Sequence, residues 1–240
     1  MSVPEYSIVI PVYNEEKRIP RNVDEICNYF KNRTETTEII FVNDGSIDAT
    51  VKILEEYRKK YQFEIITYPD NMGKGYAVRQ GALSAKGKWV VFFDIDLATP
   101  LTAFEDLRGE VLDKAEIIIG SRRLQKSEVK KSVSSIRVFF GYGFTKISNL
   151  LVPGVSDFTC GFKCYSRKAV EIIFPRARIN RWGFDTELLY IARLHGLPVR
   201  EFPVRWTHDE HSKLKIINTI VSSVSELFQM KFNQLRGYYK

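Results

Sequence analysis

The chain has 240 residues, 44% of them apolar, a formal charge of +7 and three cysteines. That length and composition are ordinary for a globular chain with a sizeable core, and no run of 18 or more apolar residues is present to form a membrane-spanning helix. The positive balance points to an anionic partner, with nucleic acid, anionic lipid and phosphorylated substrates all open. Cys27, Cys160 and Cys164 form no disulfide framework, which suits a reducing, cytoplasmic compartment; "CGFKC" lacks the second cysteine or histidine pair of a zinc site. The N-terminal stretch meets Glu15 and Glu16 too soon to read as a signal peptide.

"YSIVIPV" at Tyr6–Val12 reads as a buried strand, followed by Ile19, Val23, Ile26, Cys27 and Phe30 at helical spacing. "EIIFV" is a second strand; "NDGSIDAT" is a turn with Asp48 as N-cap of a helix carrying Val51, Leu54 and Tyr57. "FEIITY" is a third strand, a helix starts near "GKGYAVRQGAL", "KWVVFFD" is a fourth strand, a helix follows from about Leu101, and "AEIIIGS" is a fifth strand. The strands are apolar throughout and alternate with helices, which predicts a mostly parallel α/β sheet covered on both faces. The second half is less regular. "GFKCYS" is a strand, Asp185–His195 a helix, "VREFPVRW" a short strand interrupted by Pro203 and hence near an edge, and Leu214–Phe232 an amphipathic helix. Neither an internal repeat nor a linker divides residues 1–240, so a single domain is expected.

In such sheets ligands bind beyond the carboxyl ends of the strands, where "PVYNEE", "NDGS", "DIDLAT" and "GSRR" fall. Asp94 and Asp96 are one residue apart and point to one side if the strand continues. Two converging carboxylates repel unless a cation lies between them, and Mg²⁺ or Mn²⁺ suits oxygen donors and bridges to a diphosphate. The plainer reading is a strand end with two solvated aspartates, and a D-x-D taken by itself does not separate the two.

The ordered set "SIVIPVYNEE", "FVNDGSIDAT", "NMGKGYAVRQGA", "FFDIDLATP" and "GSRR" resembles the GT-A-fold glycosyltransferases of family 2. "DFTCGFKCYSRKAV", "RWGFDTELLYIARLHG" and "VRWTHDEHSKL" resemble, within that family, the polyprenyl-phosphate glycosyltransferases, the dolichyl-phosphate glucosyltransferases before the mannose synthases. The resemblance implies a GT-A fold with a Rossmann-like sheet and amphipathic helices in the second half. It divides the domain into a nucleotide-sugar half (1–123), an acceptor half (124–213) and a C-terminal amphipathic helix (214–240). It implies that Pro11, Tyr13, Asn14, Glu15, Asp44, Lys74, Asp94, Ile95, Asp96 and Arg122 hold the nucleotide sugar. Asp94 and Asp96 would bind the metal; Asp96, Asp185 and Arg122 would serve the reaction; Ser212 and Lys213 would meet the acceptor phosphate. Against these stand a turn-forming Asp44, a glycine-rich helix start at Lys74, a helix-terminal Asp185 and a solvated arginine, for which Arg123 is the better candidate than Arg122. The mannose synthases commonly carry a side-chain oxygen two residues after the second aspartate, where this sequence has Ala98.

The resemblance therefore implies inverting transfer of a hexose, glucose from UDP-glucose first, to a polyprenyl phosphate such as dolichyl phosphate. GDP-mannose and UDP-N-acetylglucosamine are the alternative donors, and a non-catalytic nucleotide- or lipid-binding module is the alternative class. No aromatic–basic motif supports a nucleic-acid partner. A lipid acceptor implies peripheral contact with the cytoplasmic face of a membrane. Two basic-flanked apolar stretches suit that role. The first carries Val133, Ile136, Phe140, Phe144, Ile147 and Leu151; the second carries Ile217, Ile220, Val221, Val224, Leu227 and Phe228. Core packing is the competing fate of both. His208 and His211 read as loop histidines.

Overall fold

The computed structural model describes residues 3–110, 115–130, 135–207 and 216–240. In chain order the elements are β1 (Tyr6–Val12), α1 (Ile19–Lys31), β2 (Thr37–Asp44), α2 (Thr50–Arg58), β3 (Glu64–Tyr68), α3 (Lys74–Ser84), β4 (Trp89–Phe93), α4 (Ala103–Glu110), β5 (Ile117–Ser121), β6 (Glu128–Lys130), α5 (Ser135–Ser148), β7 (Phe162–Ser166), α6 (Arg167–Ile173), α7 (Phe184–Leu194), β8 (Val199–Pro203), β9 (Arg205–Thr207) and α8 (Ile216–Leu235). The seven-stranded sheet has the order β3-β2-β1-β4-β7-β5-β8, parallel except for β7, which runs antiparallel between β4 and β5. β6 and β9 form a separate parallel pair.

The apolar strands bury residues on both faces, as their lack of alternation predicts. One core joins Val9, Ile40, Val42, Phe92, Ile117 and Tyr165 to α3, α6 and α7. The other joins Ile8, Ile10, Phe41, Val91, Phe93 and Ile118 to α1 and α4. Val9 and Val42 meet α3 at Gly81, where a β-carbon would stand 2.3 Å from a Val9 methyl, so that glycine sets how close the helix lies to the sheet.

Three local expectations need correction. Asp48 is not the cap of α2, whose N-cap is Ala49; Asp48 instead accepts from the N–H groups of Thr50 and Glu16 and ties the first loop to the second. "VREFPVRW" is two strands in different sheets, because the chain leaves the main sheet after Pro203; β8 does lie at an edge. In α5, Phe144 is 8% exposed and packs in the core, so it faces protein rather than lipid. The Phe140 side chain, and those of Ile136, Ile217, Ile220, Val221 and Val224, lie outside what is described, as does Val133.

Candidate functional site

β1, β2 and β4 are parallel neighbours, so their carboxyl ends bring the loops at 13–18, 44–48 and 94–99 to one rim. β5 reaches it through antiparallel β7 and ends at Ser121, next to Arg122. The loops are stitched together. Asn14 donates its N–H to Ser46 Oγ and accepts the Ile47 N–H at Oδ1, each at 2.9 Å, and its φ of 54° is one that asparagine tolerates. Glu15 donates its N–H to Thr50 Oγ1 at 2.8 Å, and both of its carboxylate oxygens accept from Arg18 Nη1. Tyr13 stands exposed beside them.

β4 ends at Phe93, so strand alternation does not bring Asp94 and Asp96 together; a turn does. The Leu97 N–H closes that turn on the Asp94 carbonyl at 3.1 Å, and the Ala98 N–H donates to Asp96 Oδ1 at 3.0 Å. Leu97 has φ 52°, a left-handed conformation costing a branched residue about 1–2 kcal/mol, so the surrounding contacts impose the turn. Asn22 of α1 grips it from below, donating from Nδ2 to the Ile95 carbonyl at 2.6 Å, while the Ile95 side chain is buried in the core. Ile95 therefore shapes the turn through its backbone and keeps its side chain in the core. The two aspartates line a small cleft with Phe93, Ala98, Thr99, Gly161 and Trp206.

Lys74, first residue of α3, reaches Asp94 Oδ1 at 2.5 Å. Burial weakens its ammonium, but Asp94, with Asp185 and Asp96, outweighs that and holds its pKa above the ordinary lysine value. Burial and the neighbouring Asp94 push the Asp96 carboxyl above the usual range. Two crowded carboxylates of hard oxygen donors, one held above its normal pKa, with no β-carbon opposite at Gly161, form a donor set that fits a divalent cation shared with a diphosphate. Among the described residues no cluster of three or more histidine, cysteine or acidic side chains offers a complete all-protein site, so such an ion would draw further oxygens from its nucleotide and water.

Asp44, at the end of β2, is buried, and its carboxylate accepts from Tyr68 Oη, Asn71 Nδ2 and the N–H groups of Met72 and Gly73 at 2.8–2.9 Å. It fixes the 71–73 loop that launches α3, and a nucleotide contact there would share its lone pairs. Gly73 has φ 103° and lies so near the Asn180 carbonyl that a β-carbon would stand 2.5 Å from that oxygen, which explains the glycine before Lys74.

Arg122 does not wave in solvent. Its Nε and Nη2 bond Asp157 Oδ2 and Oδ1 at 2.7 and 2.8 Å, Nη2 also meets Thr159 Oγ1, and the guanidinium lies 5.4 Å from the Trp206 ring centre. Asp157 is fully buried; burial opposes its charge, but Arg122 overcomes this and brings its pKa to about 2. Glu201 in turn accepts from the N–H groups of Ser156 and Asp157. Arg123, expected to be solvated, is instead engaged: it donates to Thr145 Oγ1 and the Ser156 carbonyl and stacks on Tyr142.

Asp185 opens α7 and is buried with Lys163, whose ammonium bonds Asp185 Oδ1 and, at 2.7 Å, the Cys160 carbonyl. Burial pushes the Asp185 carboxyl up, with Lys163 and Lys74 pulling it back. The cysteines flanking Lys163 are buried and free, and burial lifts the Cys160 thiol to about 11. Ser212, Lys213, His208 and His211 lie outside the described residues.

Asn22, Asp157, Gly161, Lys163 and Trp206 were not singled out from the sequence. Gly161 and Lys163 stand in the strand reading of "GFKCYS", and Asp157 lies in "SDFTC", with no local signal of what they face. Asn22 had one available sign, a polar residue inside an apolar helical stripe.

The model of the family described as glycosyl transferase family 2 matches residues 7–174. The chain is 39% identical to dolichyl-phosphate beta-glucosyltransferase ALG5A of Trichomonas vaginalis, covering 98% of this chain and 75% of the relative. It is 37% identical to the dolichyl-phosphate beta-glucosyltransferase of Mus musculus, covering 98% and 77%. Among solved structures it is similar to glucosyl-3-phosphoglycerate synthase from Mycobacterium tuberculosis in complex with Mn²⁺, uridine diphosphate and phosphoglyceric acid. There the TM-score is 0.64 at 18% identity, over 95% of this chain and 78% of that one, a likeness of fold.

Proposed function

The chain belongs to glycosyl transferase family 2, and from that membership we propose that it transfers glucose from UDP-glucose to dolichyl phosphate with inversion at the anomeric carbon. The relatives' names support the sugar and acceptor. The observation that carries the chemistry is the turn at 94–97, which gathers Asp94 and Asp96 into one cleft with Lys74 against Asp94. Asp94 and Asp96 would hold Mg²⁺ or Mn²⁺, which when bound offsets the charge of the diphosphate. The neighbour's Mn²⁺ and uridine diphosphate agree with that assignment.

The residues around the cleft would divide the work. Pro11, Tyr13, Asn14, Glu15 and Asp44 belong to the linked loops that would receive the nucleoside. Lys74 and Arg122 would face the diphosphate, Arg122 from a fixed position because Asp157 occupies its Nε and Nη2 edge. Ser212 and Lys213 would meet the acceptor phosphate. An acceptor phosphate is already an anionic nucleophile: one of its oxygens forms the new bond to the anomeric carbon as the bond to UDP breaks, and no general base is required. Asp185, paired with Lys163, would act as a fixed charge rather than as a proton acceptor.

The lipid acceptor would be met at a membrane surface. No helix among the described residues is long and apolar enough to cross a bilayer. α8 presents Phe228, Phe232 and Leu235 to solvent on one face, with Lys231 and Arg236 beside them, a composition that suits the lipid boundary. Purified protein given a panel of UDP- and GDP-sugars with dolichyl phosphate tests the reading. Mn²⁺- or Mg²⁺-dependent formation of glucosyl phospholipid from UDP-glucose is the expected result, and preference for another donor or for no lipid acceptor overturns it.

A further inference from the structure

Lys163 is fully buried on β7, near the middle of the main sheet, a place where lysine is rare. Its backbone is opposite Phe92 on one side and Ile119 on the other. Those two strands lead directly to Asp94 and to Arg122. The ammonium donates to the Cys160 carbonyl and to Asp185 Oδ1, and it lies 5.2 Å from the Phe92 ring centre. The first turn of α3 packs on that of α7, a β-carbon at Gly75 standing 2.5 Å from the Phe184 β-carbon, which sets Asp185 in electrostatic reach of Lys74, itself bonded to Asp94. Charges of alternating sign thus run from the sheet interior to the rim: Lys163, Asp185, Lys74, Asp94. A buried ion pair contributes little net stability compared with well-packed apolar residues of the same volume, so packing α7 on the sheet does not require one. What the pair does provide is a carboxylate with a fixed location.

We propose that Lys163 is a positioning residue: from the rigid middle of the sheet it fixes the Asp185 carboxylate as a stationary negative charge that holds Lys74 in register with Asp94 and the diphosphate. This rests on the glucosyl transfer proposed above. It makes Lys163 act through Asp185, with no contact of its own to either substrate.

A double-mutant cycle tests it: Lys163→Met, Asp185→Asn and the double variant, each compared with the wild type. Melting temperature, UDP affinity in Mn²⁺, and kcat and KM for dolichyl phosphate are measured. Lys163→Met leaves a buried carboxylate unpaired and lowers the melting temperature, and the double variant recovers it. The expected kcat loss is about 100-fold for each single variant, the scale of a small misplacement at a reacting centre, and no greater in the double. Recovery of kcat together with melting temperature in the double variant would mean that the pair is merely structural and overturns the proposal. Multiplying losses would mean that Lys163 acts independently, and these overturn it too. Should Lys163→Met fail to fold, the double variant must still match Asp185→Asn in kcat, and a tenfold difference between them overturns the proposal. A wild-type chain that transfers no glucose overturns the parent reading, and this one with it; an active wild type beside an active double variant overturns this one alone.

Discussion

Gly161 lies directly against the Asp94 carboxylate: a β-carbon at residue 161 would stand 2.2 Å from Oδ2 and 2.8 Å from Cγ. Neither distance is tolerable, and the nearest movable group is the carboxylate itself. Gly161→Ala is therefore expected to turn Asp94 away from the cleft while leaving the strand intact. UDP affinity in Mn²⁺ should fall by about tenfold or more, the scale of one lost charge-assisted contact. The melting temperature should stay near that of the wild type. Calorimetric titration with UDP, with and without Mn²⁺, checks both; unchanged Mn²⁺-dependent affinity would show that Asp94 is not the group being placed.

Asp96 carries the opposite tension between stability and activity. Burial and Asp94 raise its pKa in the folded chain. A carboxyl whose folded pKa lies above its unfolded value costs stability once pH exceeds the unfolded value, and the full cost is present above the folded pKa. Asp96→Asn removes that cost at pH 7, so the metal-free variant is expected to melt higher than the wild type. The same change should lower transfer by about 100-fold or more, because an amide is a poor donor to a hard divalent ion. Melting curves with added Mn²⁺ sharpen the test: the ion should raise the wild-type midpoint and leave that of the variant unmoved.

Asp157 has the reverse sign. Its folded pKa of about 2, set by Arg122 against burial, lies below the ordinary carboxylate value of 3.8. The stability it contributes is present above the unfolded value and is lost as pH falls through about 2, an amount of about 2 kcal/mol for a shift of this size. Asp157→Asn should therefore be less stable than the wild type at pH 7, with the difference closing toward pH 2 in acid-denaturation curves. Arg122→Met is expected to be the more damaging change, at about 3–5 kcal/mol, because it strands a fully buried charge.

The parts of this architecture that local chemistry writes were legible in the sequence. β1 to β5, with their continuous apolar runs, and the alternation of helices predicted the parallel sheet and its rim. The D-x-D pair was legible because two acids one residue apart at the end of an apolar strand need a reason. The turn that brings them together was not. Leu97 in a left-handed conformation and Asn22 beneath Ile95 depend on contacts between residues 73 positions apart. Antiparallel β7 was legible as a strand but not as the one that inserts between β4 and β5, so the partners Lys163–Asp185 and Arg122–Asp157 stayed hidden. For the same reason Phe144 read as a lipid-facing residue. Helical spacing places it on an apolar face, and only the packing of α5 shows that this face turns inward there.

That difference moves the membrane contact proposed above from Phe144 to the exposed face of α8. Phe228 is 74% exposed, Phe232 52% and Leu235 85%, at spacings of four and three that place them on one face, while Leu227 and Met230 are buried on the other. The Arg236 guanidinium lies 4.1 Å from the Phe232 ring centre, a pairing that sits comfortably where headgroup phosphates meet acyl chains. Phe228→Ser with Phe232→Ser is expected to weaken binding to vesicles containing anionic lipid. Each buried phenylalanine contributes about 1.5–3 kcal/mol at the lipid boundary, so the loss should be at least about 100-fold. Both side chains are exposed, so the melting temperature and UDP affinity should hold. Phe144→Ser is the contrast: it opens the core, should cost about 3–5 kcal/mol of stability, and should leave vesicle binding of the folded fraction unchanged. Vesicle flotation beside thermal melting reads both. A double α8 variant that still floats, or a folded Phe144 variant that no longer does, returns the contact to α5.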